Sequence, residues 1–230
     1  MSAKPVFLIP GGHPSDIGRT AEDFRTALQA SGAERPKIAY VGTANGDNRV
    51  FFQFMKRPMM KAGAASVTLV PIVGKSTAAA IGKAKKLLYE ADAVFLSGGE
   101  VEDGIVWLRK AGLDVLLTEL YHGGKLFFGS SAGCIMMGRH WVHWDVEDDD
   151  STSSLFDCLN FVPMVFDTHC ENEGWKELKC ALRLLGPGSV GHGLSTGGFY
   201  SADEAGNFAT YRNPPAMFYN NEGKITDQPN

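Results

Sequence analysis

The stretch Leu126-Phe-Phe-Gly129-Ser130-Ser131-Ala132-Gly133-Cys134 sets a serine midway between two glycines, after an apolar run and ahead of a helix-compatible segment. This is the layout of a nucleophile elbow. A buried strand ends in a turn so tight that glycines must flank the serine, whose hydroxyl then stands clear of the sheet. Such a hydroxyl attacks a carbonyl only once a base takes its proton, and an oriented imidazole does this best near neutral pH. The histidines are His13, His122, His140, His143, His169 and His192, and the sequence favours His169. It follows Val165-Phe-Asp-Thr168, the next strand-like run after the elbow, which should bring it to the same sheet edge as Ser131. His192, in Gly191-His-Gly193, is the reserve base, and His13, on the first loop, is more plausible as a substrate contact. For the acid that orients the imidazole, Asp167, Glu171 and Glu173 are near in sequence. Strand alternation predicts Asp167 or Glu171 on the His169 side, and an acid from elsewhere stays open.

These residues need a frame. Short apolar runs at Val6–Ile9, Ile38–Val41, Val67–Ile72, Ala93–Leu96 and Leu126–Phe128 lack polar alternation, as strands buried on both faces do. Amphipathic segments lie between them. Ala21, Phe24, Ala27 and Leu28 share a helical face ending at Gly32, and Ser76 is placed to cap a helix carrying Ile81, Ala84 and Leu88. Leu113–Tyr121 is another helix, and Pro58 predicts that the helix over Val50–Ala62 starts late, breaks or kinks. Repeated βα units give a parallel sheet with helices on both faces and ligands at the C-terminal strand ends. Four Gly-rich loops fall on that edge: Pro10–His13, Gly42–Gly46, Ser97–Glu100 and Gly129–Ser131. The amides of Gly98 and Gly99 could face the Ser131 hydroxyl. Beyond the elbow, the acidic run Asp145–Asp150 reads as a solvated loop, with a lid or weak cation site as the lesser reading. Phe161–Asp167 reads as a strand, Trp175–Leu185 as a helix, and Gly198–Ala202, Phe208–Tyr211 and Ala216–Tyr219 as short strands. No boundary divides the chain, so residues 1–230 are expected to form one domain.

Composition narrows the function. A net charge of -4 argues against a nucleic-acid surface, and 44% hydrophobic with 21% charged residues is ordinary for a soluble domain. Cys134, Cys158, Cys170 and Cys180 form no CxxC pair and read as reduced thiols of a cytoplasmic protein. Met-Ser-Ala-Lys-Pro leads straight into a strand-like run without a signal-peptide core, and no apolar run approaches a bilayer span. No phosphate loop or GxGxxG follows the first strand. The expectation is no cofactor, no metal, no nucleic acid and no membrane partner; the oligomeric state is open, a homodimer included.

Gly98-Gly99 after the fourth strand, Gly129-x-Ser131-Ala132-Gly133 after the fifth and His169 after Phe161-Val-Pro-x-Val165 resemble the dipeptidase E (aspartyl dipeptidase) and cyanophycinase family of serine peptidases. The resemblance covers nearly the whole chain. It implies a class I glutamine-amidotransferase-like, flavodoxin-like α/β fold: a three-layer sandwich with a mostly parallel central sheet. It also implies Ser131 as nucleophile, His169 as base, and an oxyanion hole from the amides of Gly99 and Ala132. The implied substrates are small peptides, often cleaved after an N-terminal acidic residue, without a metal. Basic candidates to meet that acid are Arg139, Lys176, Arg183 and Arg212. The chain departs from the family at three places. Glu100 stands where Asn or Asp is usual, and Cys170-Glu-Asn-Glu-Gly174 where a basic or aromatic residue is common. Thr196, in Gly193-Leu-Ser-Thr-Gly197, stands where the dipeptidase has a glutamate. With that position neutral, Glu171 is narrowly favoured as the acid, and its His-x-Glu spacing resembles that of glutamine amidotransferases. The reading is a serine-type peptidase with a Ser-His mechanism. The alternatives are a non-catalytic ligand-binding protein on the same fold and, further off, an esterase or an amidotransferase.

Overall fold

The computed structural model describes residues 2–11, 17–146 and 148–228. His13 therefore lies outside the described residues. The first part of the chain alternates strand and helix: β1 (Val6–Ile9), α1 (Ile17–Gln29), β2 (Lys37–Val41), α2 (Arg49–Lys61), β3 (Ser66–Val70), α3 (Ala78–Glu90) and β4 (Ala93–Leu96). Then come α4 (Val101–Lys110), α5 (Asp114–His122), β5 (Leu126–Ser130) and α6 (Ala132–Met137). The five strands pair in parallel in the order β1-β5-β4-β2-β3. Their apolar runs are double-sided because successive residues serve different faces. Phe7, Tyr40, Phe95 and Phe128 point to the side covered by α1 and α2, through Phe24, Leu28, Phe52 and Met59. Leu8, Val41, Val94 and Phe127 point to the side covered by α3–α6, through Leu88, Ile105, Leu117 and Met136. Phe24 is fully buried, edge-on to Phe95 at 5.8 Å and to Phe128 at 5.7 Å. Burial of one such ring stabilises by about 1.5–3 kcal/mol.

The second part supplies β6 (His140–Trp144), β7 (Ser153–Asp157), β8 (Val165–Thr168), α7 (Lys176–Leu185), β9 (Val190–Leu194), β10 (Phe199–Ala202), β11 (Phe208–Arg212), β12 (Ala216–Asn221) and β13 (Lys224–Thr226). Strands β10 and β11 return antiparallel to the β1 edge, making a seven-stranded sheet. β8 does not join it. It lies in a separate four-stranded sheet, β13-β12-β9-β8, so the expectation that His169 ends a strand of the central sheet is corrected. Backbone bonds from the end of α6 explain how β8 still arrives beside the elbow: Arg139 N–H donates to Met164 O at 2.7 Å and Phe161 N–H to Met137 O at 3.0 Å.

Two local expectations also change. α2 runs unbroken through Pro58. The proline lies in its last turn, where the one lost bond, to the Phe54 carbonyl, leaves little helix to disrupt, and the ring is buried beside Met55 and Met59. The cap of α3 is Thr77, not Ser76: its Oγ1 accepts from Ala80 N–H at 3.2 Å. The described residues of the acidic run lie between the paired strands β6 and β7. Lys176 to Asp148 at 2.9 Å and Arg183 to Asp150 at 2.6 Å tether it to α7.

Candidate active site

Ser131 links β5 to α6 with φ 52 and ψ −123, a backbone region that costs a non-glycine residue energy and persists only when the surroundings impose it. The surroundings are visible. Ser131 N–H donates to Ile9 O at 3.2 Å, extending the β1 pairing one residue past the strand, and Cys134 N–H donates to Ser131 O at 2.7 Å. Both flanking glycines are there for space. A Cβ on Gly133 would lie 2.1 Å from Leu96 O, and one on Gly129 would lie 2.7 Å from the Gly133 backbone. Helix α6 thus rests directly on the ends of β4 and β5, which leaves Ser131 at the cavity.

The Ser131 hydroxyl meets His169 Nε2 at 2.7 Å. With the ring proton on Nδ1, Nε2 accepts from Oγ, the arrangement a base requires. His169 has φ 49, and its N–H donates to Leu194 O at 3.0 Å, so the chain turns sharply after β8 while staying tied to β9. That turn ends the strand alternation on which the acid expectation for Asp167 rested. Asp167 is 1% exposed, its Oδ1 accepts from Thr168 N–H at 2.7 Å, and it clusters with Cys170 and Glu177 instead of facing the ring. Burial pushes the Asp167 carboxyl up to about 6. Glu171 is held by Thr196, whose N–H donates to Oε1 and whose hydroxyl donates to Oε2 at 3.3 Å. Among the described residues no hydrogen bond or ion pair joins His169 to a carboxylate. His192 does not line Ser131's cavity. It is buried against Phe208 at 4.8 Å and Phe166 at 5.9 Å, and burial lowers its pKa to about 4. Cys134 is buried with its thiol donating to Gly129 O at 3.3 Å, and burial pushes its pKa up, so it is no amidotransferase nucleophile.

The Gly98-Gly99 loop approaches from β4. A Cβ on Gly98 would stand 3.0 Å from Ser131 Cβ, and one on Gly99, with φ +141, would lie 2.0 Å from Ala44 O. No side chain fits at Gly99. The loop is fixed by Asn45, whose amide donates to Ser97 Oγ at 2.8 Å and Gly98 O at 2.9 Å, and by Tyr40 Oη at 2.6 Å from Ser97 Oγ. Glu100 N–H donates to Ala44 O at 2.7 Å. Neither the Gly99 nor the Ala132 amide has a protein acceptor among the described residues. The Glu100 side chain is exposed at the start of α4 and does not line the cavity beside Ser131.

That cavity, about 620 Å³, runs from Ser131, His169 and Thr196 to Phe51, Phe54 and Pro58 of α2. Of the basic residues singled out, Arg212 alone reaches it, already forked onto Asp23 at 2.9 and 2.6 Å. Lys176 and Arg183 hold the hairpin turn, and Arg139 does not line the cavity.

Residues 6–183 match the model of peptidase family S51. The chain belongs to that family. It is 25% identical over 146 residues to the uncharacterized peptidase YgaJ of Bacillus subtilis (strain 168), a match spanning 64% of this chain and 60% of that protein. It is 27% identical over 103 residues to the uncharacterized peptidase Lmo0363 of Listeria monocytogenes, spanning 43% of this chain and 49% of that one. The matched stretches thus cover about half to three fifths of these relatives. A crystal structure from Listeria monocytogenes EGD-e assigned by name to peptidase E superposes with TM-score 0.66 at 18% identity, covering 92% of this chain and 100% of that one. A peptidase from an acI-B1 actinobacterium gives 0.67 at 12% identity, covering 97% and 96%. At such identities the two likenesses speak to the fold, a three-layer α/β sandwich around a mostly parallel sheet.

Within this family S51 frame the sequence reading missed the residues that hold the site from behind. Tyr40, Asn45 and Ser97 fix the Gly98-Gly99 loop, and the Asp23–Arg212 pair and the α2 phenylalanines wall the cavity. Asn45 carried a faint signal, as the one amide side chain in the Gly42–Gly46 loop on the correct sheet edge. No helix among the described residues is long and apolar enough to cross a membrane.

Proposed function

We propose that this chain is a serine-type peptidase acting on small peptides, with Ser131 as nucleophile and His169 as general base. The observation that carries the reading is the 2.7 Å contact of Oγ with Nε2 on a strained strand-to-helix turn that opens into a cavity. In the proposed reaction Ser131 Oγ attacks the scissile carbonyl while its proton passes to Nε2. The tetrahedral oxyanion takes hydrogen bonds from the Gly99 and Ala132 amides. His169 then returns the proton to the departing amine, leaving an acyl-serine for water to hydrolyse. One oxyanion donor of this kind is worth about 10²–10³ in rate in other enzymes. Glu171 is the proposed acid, acting from the position in which Thr196 holds it, and no cofactor or metal enters the scheme. The site of action proposed is the cytoplasm.

The test is labelling with a fluorophosphonate. Wild type should form a phosphonyl adduct on Ser131, and Ser131→Ala should form none; equal labelling of the two would sink the reading. That no carboxylate among the described residues is bonded to His169 favours a second reading, a ligand-binding member of the family that has lost turnover. A labelled Ser131 without hydrolysis of any peptide in a broad panel would identify it.

A further inference from the structure

The cavity wall facing Ser131 is built by one face of α2: Phe51, Phe54, Met55 and Pro58 recur at the i, i+3, i+4, i+7 spacing. The sequence has no core reason for two of them. Phe52, Met55 and Met59 already fill the core side of the helix at 8%, 6% and 0% exposure, whereas Phe51 and Phe54 stand 37% and 43% exposed. Their rings stack on each other at 6.3 Å with an interplanar angle of 30°. Large apolar side chains left in water at the mouth of a cavity mark a binding surface more than a folding one. From the opposite side, the β1 end contributes Ile9 and Pro10.

Charge recognition is weaker. Among the described residues, the cations on the wall are Arg19 and Arg212. Arg212 Nη1 and Nη2 both lie on the Asp23 carboxylate, and its Nε donates to Gly197 O at 2.6 Å. Asp23 is buried and Arg212 only partly so, and an acidic substrate group would have to compete with the Asp23 carboxylate for the guanidinium.

Resting on the serine-peptidase reading, we infer that the cavity is an apolar subsite, and that the residue whose carbonyl Ser131 attacks carries a large apolar or aromatic side chain. Phe51 and Phe54 are its specificity-determining residues. An aromatic or branched aliphatic group there covers both exposed rings, whereas an aspartate would bury a carboxylate against them.

A panel of aminoacyl p-nitroanilides, with Phe, Leu, Ala, Asp and Lys as the acyl residue, tests this beside the fluorophosphonate labelling. Wild type should show kcat/KM for Phe and Leu at least about tenfold above Asp. Phe54→Ser and Phe51→Ser, checked for unchanged thermal unfolding, should drop the Phe-to-Ala ratio of kcat/KM about tenfold, and Phe54→Leu should restore part of it. Asp preferred over Phe with Ser131 labelled, or a Phe-to-Ala ratio untouched by both serine variants, overturns the subsite alone. No labelling of Ser131 overturns the hydrolase reading and the subsite with it.

Discussion

At the scale of single residues the proposed acid, Glu171, is defined by what holds it. Thr196, the position to which the family resemblance assigned a glutamate, holds a carboxylate from another segment: its N–H and hydroxyl both donate to Glu171. Glu171 lies two residues beyond His169, so its grip on Thr196 also fixes the turn that carries the ring. If the two act as a unit, their losses will not add. Glu171→Gln should lower kcat by about 100-fold, less than the roughly 10⁴ seen when a triad acid in direct contact is neutralised. Thr196→Val should lower it by about tenfold, and the double variant should be no slower than Glu171→Gln. Steady-state kinetics on one activated ester, with KM nearly constant across the series, is the measurement. Additive losses would show that Glu171 works independently of Thr196. No loss in either Glu171→Gln or Asp167→Asn, with a wild-type peptide rate already near background, would favour the ligand-binding reading.

At the scale of elements, the junction of β8 with α7 is the chemically unusual place. Asp167 at the end of β8, Cys170 and Glu177 in the first turn of α7 bring their polar atoms within 4.8 Å of one another. Burial pushes Asp167 up to about 6; burial and then Asp167 itself push Glu177 up to about 7, with Glu173, Asp148 and Glu100 acting in the same sense. Both carboxyls are more easily protonated folded than unfolded. Their contribution to stability is therefore present at low pH and is lost as pH rises from about 4 to about 7. His192 works the other way: its lowered pKa costs stability as pH falls from about 6.5 toward 4. The raw pH profile mixes the two, so the informative quantity is the difference between wild type and Asp167→Asn. Between pH 5 and 8 the variant should gain about 1 kcal/mol on wild type, or about 2–4 °C in Tm. Parallel Tm curves for the two proteins over that range would remove the buried-proton account. The same junction shows why part of the fold was hard to read. β1 to β5 were legible because helices cover the sheet and the strands' buried positions are apolar, even at the β3 edge where Thr68 is exposed. β9 was not, because Gly191 and Gly193 replace its apolar residues where α7 comes closest. A Cβ on either would lie 2.8 Å from Leu178 or from Trp175. The β6–β7 hairpin, with two histidines in its first strand, was equally hidden. Ser131 and His169 could be chosen from sequence because each follows a strand. The sheet that carries His169 and the partner of Glu171 could not, since both depend on contacts between distant segments.

At the scale of the whole molecule, the last segment closes what the first begins. β10 and β11 complete the central sheet on the β1 edge, and Arg212 of β11 forks onto Asp23 of α1 across 189 residues of sequence. Arg212 Nε also holds Gly197 O, so one side chain joins the first helix, the last strand of the central sheet and the loop next to Thr196. The pair is asymmetric: the Asp23 side chain is 7% exposed and that of Arg212 29%. Removing the arginine strands a carboxylate that water hardly reaches, whereas removing both charges leaves no buried charge unpaired. Arg212→Met should therefore cost about 3 kcal/mol, or about 6–12 °C in Tm for a chain of this length. The double variant Asp23→Leu/Arg212→Met should recover at least half of that loss, because an apolar pair of similar volume replaces a buried ion pair at little net cost. Since the fork also positions Gly197 beside the cavity, the double variant should stay below wild type in kcat/KM even where its stability returns. Thermal unfolding and peptide hydrolysis, measured on the same three proteins, separate the two roles. A double variant less stable than Arg212→Met would mean that the pair stabilises through its attraction, not through the need to neutralise Asp23. A double variant with the wild-type rate would confine the fork to holding the chain ends together.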